Sequence, residues 1–230
     1  MEFILLRLIG ISIIIFCFSC SSIRHVIPLE PGESRISASI GGPITLVGDY
    51  YIPVPFLTLG YNYGLKHNLD LEAGFKITDE LFGASIGVTA IDAGVNYHVF
   101  TDCKFRPGLY LSLKGMLTTQ FKKENTRFFP LIDFGCYWHP SKRNYIYLGM
   151  ENWIELHTQR YDGNPQENHI LLNPYIGYIL QNKKWLFQLE GRAVTINCTN
   201  KGRAPKNIGF GDQGIIGVYI GISREFGAGK

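Results

Sequence analysis

Three side chains in one polar stretch of the chain have the types that hydrolytic chemistry requires: Glu155, His157 and His169. A serine-type hydrolase needs a hydroxyl nucleophile, a histidine base within hydrogen-bonding reach and a carboxylate that orients the imidazole ring. The stretch contains no serine, and Thr158 offers the one aliphatic hydroxyl nearby. We therefore expect these residues to be solvated loop groups, without catalysis.

A second group of candidate residues carries charge on the polar phase of apolar, alternating segments. Charges enclosed by protein must find partners, because an unpaired buried charge is costly. We therefore expect an interior polar network of paired charges, and a narrow solute channel is the alternative use of the same groups. The members of this network are Glu72, Lys76, Lys114, Asp133, Glu190 and Arg192.

The cysteines and the net charge exclude several classes of function. Cys103, Cys136 and Cys198 are widely spaced, with no C-x-x-C pair and no neighbouring histidine cluster. Neither a zinc site nor a disulfide framework is indicated, although an isolated Cys103 to Cys136 bridge fits the layout. The net charge of +3 and the lack of a dense basic run give no support for nucleic-acid binding. No metal and no cofactor is expected.

The first twenty residues differ in kind from the rest of the chain. Arg7 precedes an uncharged apolar run from Leu8 to Phe18, which is too short to span a bilayer as a helix. This pattern predicts a secretory signal peptide over residues 1–20, ending at Ser19-Cys20. Residues 21–32 contain two prolines and no periodicity, and they are predicted to be a tether to a single domain over residues 33–230.

The stretch from Phe56 to Ile77 shows the plan of that domain. Apolar residues alternate with polar or small residues on both sides of the turn 66–68, as expected for a hairpin of two long strands. Continuing the pattern from Ser34 to Phe226 gives about ten strands, and eight would also fit. Pro43 to Pro55 is expected to be a connection, and a change of parity near Ala90 or Ile91 predicts a bulge. Short turns alternate with mostly longer loops.

The polar phase decides which face of the strands is inside. A water-exposed surface is normally rich in Lys, Glu and Asp, whereas this phase consists of Gly, Ser, Thr, Asn and Tyr with scattered charges of both signs. Such a face suits a narrow interior, so the apolar phase should contact lipid. The fold class is therefore all-β: a single antiparallel up-and-down transmembrane β-barrel, with a soluble barrel or sandwich as the alternative.

The segment 64–71, followed by Gly74 and Phe75, resembles the turn found in many bacterial outer-membrane β-barrel proteins. The end of the signal, Ser19-Cys20 followed by two serines, resembles the lipobox of lipoproteins of the Bacteroidota type. That resemblance implies that Cys20 is lipidated and becomes the mature N-terminus. Cys17 and Phe18 depart from the usual box, and four residues follow Phe226, where many such barrels end on an aromatic residue.

The resemblance implies a small protein of the Gram-negative outer membrane, a lipoprotein that acts in a structural role or by binding a partner or lipid. Expected partners are outer-membrane lipids, the barrel-insertion machinery and lipopolysaccharide at basic external loops that contain Lys122, Lys123 and the segment 201–206. Barrels of this kind also include enzymes that modify lipid A. The His-x-Ser-Asn pattern of such a deacylase is absent from residues 155–169, so the enzyme remains an alternative without assigned residues.

Overall fold

The computed structural model describes residues 25–47, 49–53, 56–78, 88–103, 106–120, 125–159, 165–200 and 208–227. The predicted signal peptide, Cys20 and residues 21–24 of the predicted tether lie outside this range. So do Lys122, Lys123 and the segment 201–206.

The described residues form β-strands joined by turns and loops, and none of them forms a helix long and apolar enough to cross a membrane. Alternating side chains of opposite character favour extended strands over helices along the whole chain. The strands are β1 (Ser34–Val47), β2 (Tyr50–Pro53), β3 (Phe56–Lys66), β4 (Leu69–Thr78), β5 (Val88–Phe100), β6 (Gly108–Gln120), β7 (Asn125–Ser141), β8 (Asn144–Ile154), β9 (Ile170–Asn182), β10 (Trp185–Thr199) and β11 (Gln213–Phe226).

Ten of these strands form a closed antiparallel barrel, as the sequence predicts. From β3 to β11 each strand pairs with the next in the chain, and β11 pairs with β1 from Phe226 opposite Ser34 to Gly217 opposite Pro43. The barrel closes between β1 and β3, where Gly64 N donates to Glu33 O over 2.9 Å and Gly32 N donates to Gly64 O over 2.8 Å. β2 pairs with the last four residues of β1 and is not one of the ten strands of the barrel.

Two predictions of detail are wrong. The expected connection Pro43 to Pro55 is partly strand, because β1 continues to Val47 and pairs there with β2. The bulge expected near Ala90 or Ile91 is absent, because pairing with β4 and β6 runs in register through both residues; the register shift of β5 lies between His98 and Phe100. Apolar residues occur in both phases of β5 without a bulge because the interior is itself apolar at this height, where Ala90 packs with Met116, Phe129 and Leu131.

The apolar phase of the strands points outward all around the barrel. Leu71 and Leu111 are exposed, and the exposed fraction reaches 50% at Leu113, 59% at Ile176 and 57% at Ile220. The polar residues on the opposite phase are buried, including Asn62, Asp70 and Ser112. Water-soluble proteins have the reverse arrangement, and a lipid-exposed barrel has this one.

The four short turns lie at the same end of the barrel as the start of β1 and the end of β11. We call this the turn end and the opposite one the loop end. Residues 25–33, which we call the plug segment, lie within the turn end. Val26 is 0% exposed and Leu29 is 2% exposed. Part of the expected tether is therefore not solvated, because His25, Val26 and Leu29 are buried in the barrel, whereas residues 30–32 are exposed.

Candidate functional site: the filled barrel interior

Four tyrosines fill the interior toward the turn end, and each lies opposite a glycine on the neighbouring strand. The cross-strand pairs are Tyr110 with Gly135, Tyr137 with Gly108, Tyr147 with Gly177 and Tyr175 with Gly149. A glycine leaves room for an aromatic ring to lie over the backbone of its strand. We call these residues the tyrosine layer; its rings pack with Val26, Ile179 and Leu186.

The fit between ring and glycine can be tested at Gly177. A Cβ there would lie 2.1 Å from Cζ of Tyr147, whose side chain is fully buried. We expect Gly177→Ala to lower the free energy of unfolding by about 1–3 kcal/mol, because the ring must move within a packed interior. The measurement is urea-induced unfolding of the barrel in lipid vesicles, followed by tryptophan fluorescence.

Gly191 provides the matched control on the adjoining strand β10. A Cβ at Gly191 would meet no atom within 4 Å, so Gly191→Ala should change the free energy of unfolding by less than about 0.5 kcal/mol. Equal effects of the two substitutions would show that the close contact of Tyr147 with Gly177 does not contribute to stability.

Charged side chains form ion pairs in the middle of the barrel. Lys114 pairs with Glu72, whose carboxylate also accepts a hydrogen bond of 2.7 Å from Ser112 Oγ. Nearer the loop end, Lys76 Nζ lies 2.7 Å from Asp92 Oδ2. All these side chains except Lys76 are buried, so the pairing compensates for the loss of hydration.

Arg192 connects two buried carboxylates. Its Nη1 lies 3.0 Å from Glu151 Oε1, and its Nη2 lies 3.0 Å from Glu190 Oε1. Tyr147 Oη donates to Glu190 Oε2 over 2.9 Å, and the guanidinium carbon lies 4.9 Å from the centre of the Tyr175 ring. The guanidinium fork can satisfy two carboxylates at once, which a lysine could not do with the same geometry.

The structure places the six residues of the predicted polar network in the interior, and it brings two pairs of them together. Those pairs are Glu72 with Lys114 and Glu190 with Arg192. Lys76 instead pairs with Asp92, and Asp133 accepts a hydrogen bond of 2.7 Å from Tyr175 Oη. Sequence reasoning missed Asp92 and Glu151 as partners, although both lie on the inward phase of their strands.

Sequence reasoning also missed the contacts of the plug segment. Asp70 Oδ2 lies 3.0 Å from His98 Nε2 and accepts a weak hydrogen bond of 3.4 Å from Leu29 N. Arg35 donates to Ile27 O over 3.1 Å and to Glu225 Oε1 over 2.6 Å. The segment has no periodicity, so its one signal in the sequence is the presence of Val26, Ile27 and Leu29 in a stretch expected to be solvated.

At the loop end, Glu155 holds the candidate hydrolytic residues together. Its Oε1 lies 3.0 Å from His157 Nδ1, its Oε2 lies 3.3 Å from Arg127 Nη1, and His169 Nδ1 donates to its backbone oxygen over 2.7 Å. Among the described residues, each of the two imidazole rings has Glu155 as its hydrogen-bond partner, and neither ring has a hydroxyl there. Glu155 is buried, because it pairs with Arg127, and it is not the solvated group that the sequence predicts. The described residues of this loop present no activated nucleophile.

The cysteines in the described part of the chain are free thiols: Cys103, Cys136 and Cys198. The disulfide between Cys103 and Cys136 that the layout allowed is therefore not formed. Within the same described ranges, no three His, Cys, Asp or Glu side chains gather in a way that could hold a metal ion.

No protein-family model and no curated protein matches the chain by sequence. By structure, the chain is similar to an outer-membrane channel from Pseudomonas putida F1, with a TM-score of 0.50 and 10% identity over 90% of this chain and 100% of that one. At such an identity the likeness shows the fold alone. The chain therefore has the fold of outer-membrane β-barrels, as its sequence predicts.

Two further structures match with lower scores. The translocator domain of the autotransporter NalP from Neisseria meningitidis has a TM-score of 0.43 and 11% identity, over 86% of this chain and 90% of that one. The outer membrane protein OprG from Pseudomonas aeruginosa has a TM-score of 0.32 and 11% identity, over 87% and 99%.

Proposed function

We propose that this protein is a small outer-membrane β-barrel that acts through its surface, in a structural role or by binding lipid or a partner, and not through catalysis. The observation that carries the proposal is the continuous apolar outer face around an interior occupied by side chains. Burial of that face in hydrocarbon is favourable, and the closed ladder leaves few backbone groups without partners in the membrane.

The contents of the interior favour this role over that of a narrow solute channel. A barrel of about ten strands encloses little more space than its own side chains fill. Here the tyrosine layer packs against Val26 of the plug segment, and the ion pairs of Arg192 and Lys114 occupy further parts of the lumen. An ion crossing it would have to displace Val26, which is 0% exposed, or separate the carboxylates from Arg192.

The contacts at the loop end favour this non-catalytic role over that of a lipid A-modifying enzyme. The Glu155 carboxylate is engaged by Arg127 and His157, and the stretch 155–169 contains no serine to act as a nucleophile. General acid–base work at this rim would require the loss of these contacts.

The proposal includes secretion by the signal peptide and acylation of Cys20. Cys20 precedes His25 by five residues, which span at most about 18 Å when extended. An acyl chain on Cys20 would therefore stay near the turn end, which faces the periplasm in this proposal. Each buried methylene would add about 0.8 kcal/mol to membrane affinity.

Two further contacts belong to the proposal. The barrel-insertion machinery would act on the last strand, β11, which ends at the aromatic residue Phe226. The basic residues Lys122, Lys123, Lys201 and Lys206 lie in segments between strands at the loop end, where they would face lipopolysaccharide phosphates.

Conductance measurements test the proposal. In planar bilayers we expect no discrete current steps from the purified protein, because the lumen is filled. Insertion is verified by the shift of the folded band on an unheated gel, and lipid A incubated with the protein should keep its mass. Discrete steps from inserted protein would favour the channel, a changed lipid A mass would favour the enzyme, and a protein that stays dissolved without detergent would overturn the membrane placement.

A further inference from the structure

The two ends of the barrel differ in charge. The four turns at positions 67–68, 101–107, 142–143 and 183–184 contain six Lys or Arg and one Asp or Glu. The five connections at the other end, the first of which includes β2, contain six Lys or Arg and eight Asp or Glu. Excess positive charge is thus a property of the turn end.

The cations of the turn end form a ring of exposed side chains, which we call the basic rim. Its described members are Lys66, Arg106, Lys142, Arg143, Lys183, Lys184 and Arg224. The acidic groups nearby are partly used elsewhere, since Glu225 pairs with the buried Arg35 and Asp102 pairs with His139. Glu30 Oε2 lies 3.1 Å from His67 Nδ1. The rim therefore presents several cations to whatever surrounds it.

Aromatic rings hold two of these cations on the outer face of the barrel. The guanidinium carbon of Arg224 lies 5.2 Å from the ring centres of Trp185 and Phe226, and that of Arg106 lies 5.2 Å from Phe100. All three rings are exposed, on the same outward side as the apolar face. Cation–π contacts at these distances are attractive and orient the guanidinium toward the outer edge of the rings.

The height of the rim matches the boundary between hydrocarbon and water. Exposed Phe187 and Ile222 mark the last purely apolar level of β10 and β11, and the next outward pair is Trp185 opposite Arg224. Aromatic residues at this level belong to the membrane interface, where phospholipid phosphates lie. The cations beside these rings are therefore expected to contact phospholipid phosphates and not only bulk water.

We propose that the basic rim binds anionic phospholipids of the membrane leaflet next to the turn end. The inference rests on the proposed membrane placement of the barrel and names the lipid class that it selects. Positive charge around the whole circumference fits a ring of anionic head groups, and the outward apolar face accommodates their acyl chains.

Native mass spectrometry of the detergent-solubilised full-length protein tests this binding. Phosphatidylglycerol and phosphatidylcholine with identical acyl chains are added separately, and the lipids retained on the barrel are counted. We expect the anionic lipid to bind about tenfold more tightly or better, with a preference that declines at high salt. Equal retention of the two lipids would overturn the inference.

Two charge variants locate the binding. The quadruple variant Lys142→Gln/Arg143→Gln/Lys183→Gln/Lys184→Gln should lose the preference, whereas Arg160→Gln, in the segment between β8 and β9 at the loop end, should keep it. A gel shift verifies that both variants are folded. Loss of the preference in the loop variant would overturn the inference. If the barrel shows no lipid preference and instead binds purified peptidoglycan through the turn residues, the inference is wrong and the partner is the cell wall. A barrel that inserts into membranes but retains the two lipids equally would overturn this inference alone and leave the proposed function standing.

Discussion

Replacing Arg192 with methionine is expected to lower the free energy of unfolding of the barrel by about 3–5 kcal/mol. The substitution leaves the carboxylates of Glu151 and Glu190, which are 1% and 0% exposed, without the cation that lies 3.0 Å from each. It also removes the contact of the guanidinium with the Tyr175 ring. The measurement is urea-induced unfolding in lipid vesicles, in which the midpoint reports the change in stability.

The matched controls separate the loss of charge pairing from the loss of packing. Arg192→Met combined with Glu151→Gln and Glu190→Gln should recover a large part of the loss, because the two neutral amides no longer carry buried charge. Lys183→Met, on an exposed turn, should change stability by less than about 0.5 kcal/mol. Should the triple variant be less stable than Arg192→Met alone, the carboxylates would not be the source of the effect.

An arginine placed on the outer face of β6 should lower the free energy of unfolding of the barrel, and the loss should grow with the depth of the side chain in the membrane. Leu113 is 50% exposed and lies midway along the strand, and we expect Leu113→Arg to destabilise the barrel in vesicles by about 2–4 kcal/mol. The guanidinium there would lie in hydrocarbon, far from either interface. The measurement is the same urea titration, with vesicles of one defined lipid.

Thr119→Arg supplies the comparison, because Thr119 lies on the same face of β6 near the loop end. There the expected cost is about 0–1 kcal/mol, since the side chain can reach the interface. Equal costs at the two positions, or a gain in stability from Leu113→Arg, would show that this face does not contact hydrocarbon.

The architecture could be predicted from the sequence because the signal recurs in every strand. The alternation in β3 and β4 sets Leu59 and Phe75 on the outer face and Asn62 and Glu72 inside, and the structure pairs these residues as adjoining strands require. The side that faces lipid followed from composition. Glycine, hydroxyl and amide groups fit a crowded interior, whereas a water-exposed face would have carried more charge.

Details of the interior could not be predicted, because they depend on the register between distant strands. Lys76 lies opposite Ala90, and its partner Asp92 is two residues along on β5. Without the register, the charge on β4 has several acceptable partners. The apolar group around Met116 likewise differs from the interior of Gly, Ser, Thr, Asn, Tyr and scattered charges that the sequence predicts.

The plug segment shows a different limit. Its residues follow no strand or helix period, so its position is determined by tertiary contacts alone, such as those of Arg35 with Ile27 and of Asp70 with Leu29. Such contacts join residues far apart in the chain, as when Asn96 donates to the backbone oxygen of His25, 71 positions away. A local pattern contains no information about them.

Pairing of the first barrel strand with the last has a consequence for biogenesis. The barrel cannot close until β11 has been synthesised and can pair with β1. A chain that ends before β11 therefore forms an open sheet with two edges whose backbone groups lack partners. The buried residues of the plug segment, His25, Val26 and Leu29, pack against the inner wall of the barrel, so their full set of contacts exists only once β11 has paired with β1. Packing of the segment before β1 thus depends on the strand that is synthesised last.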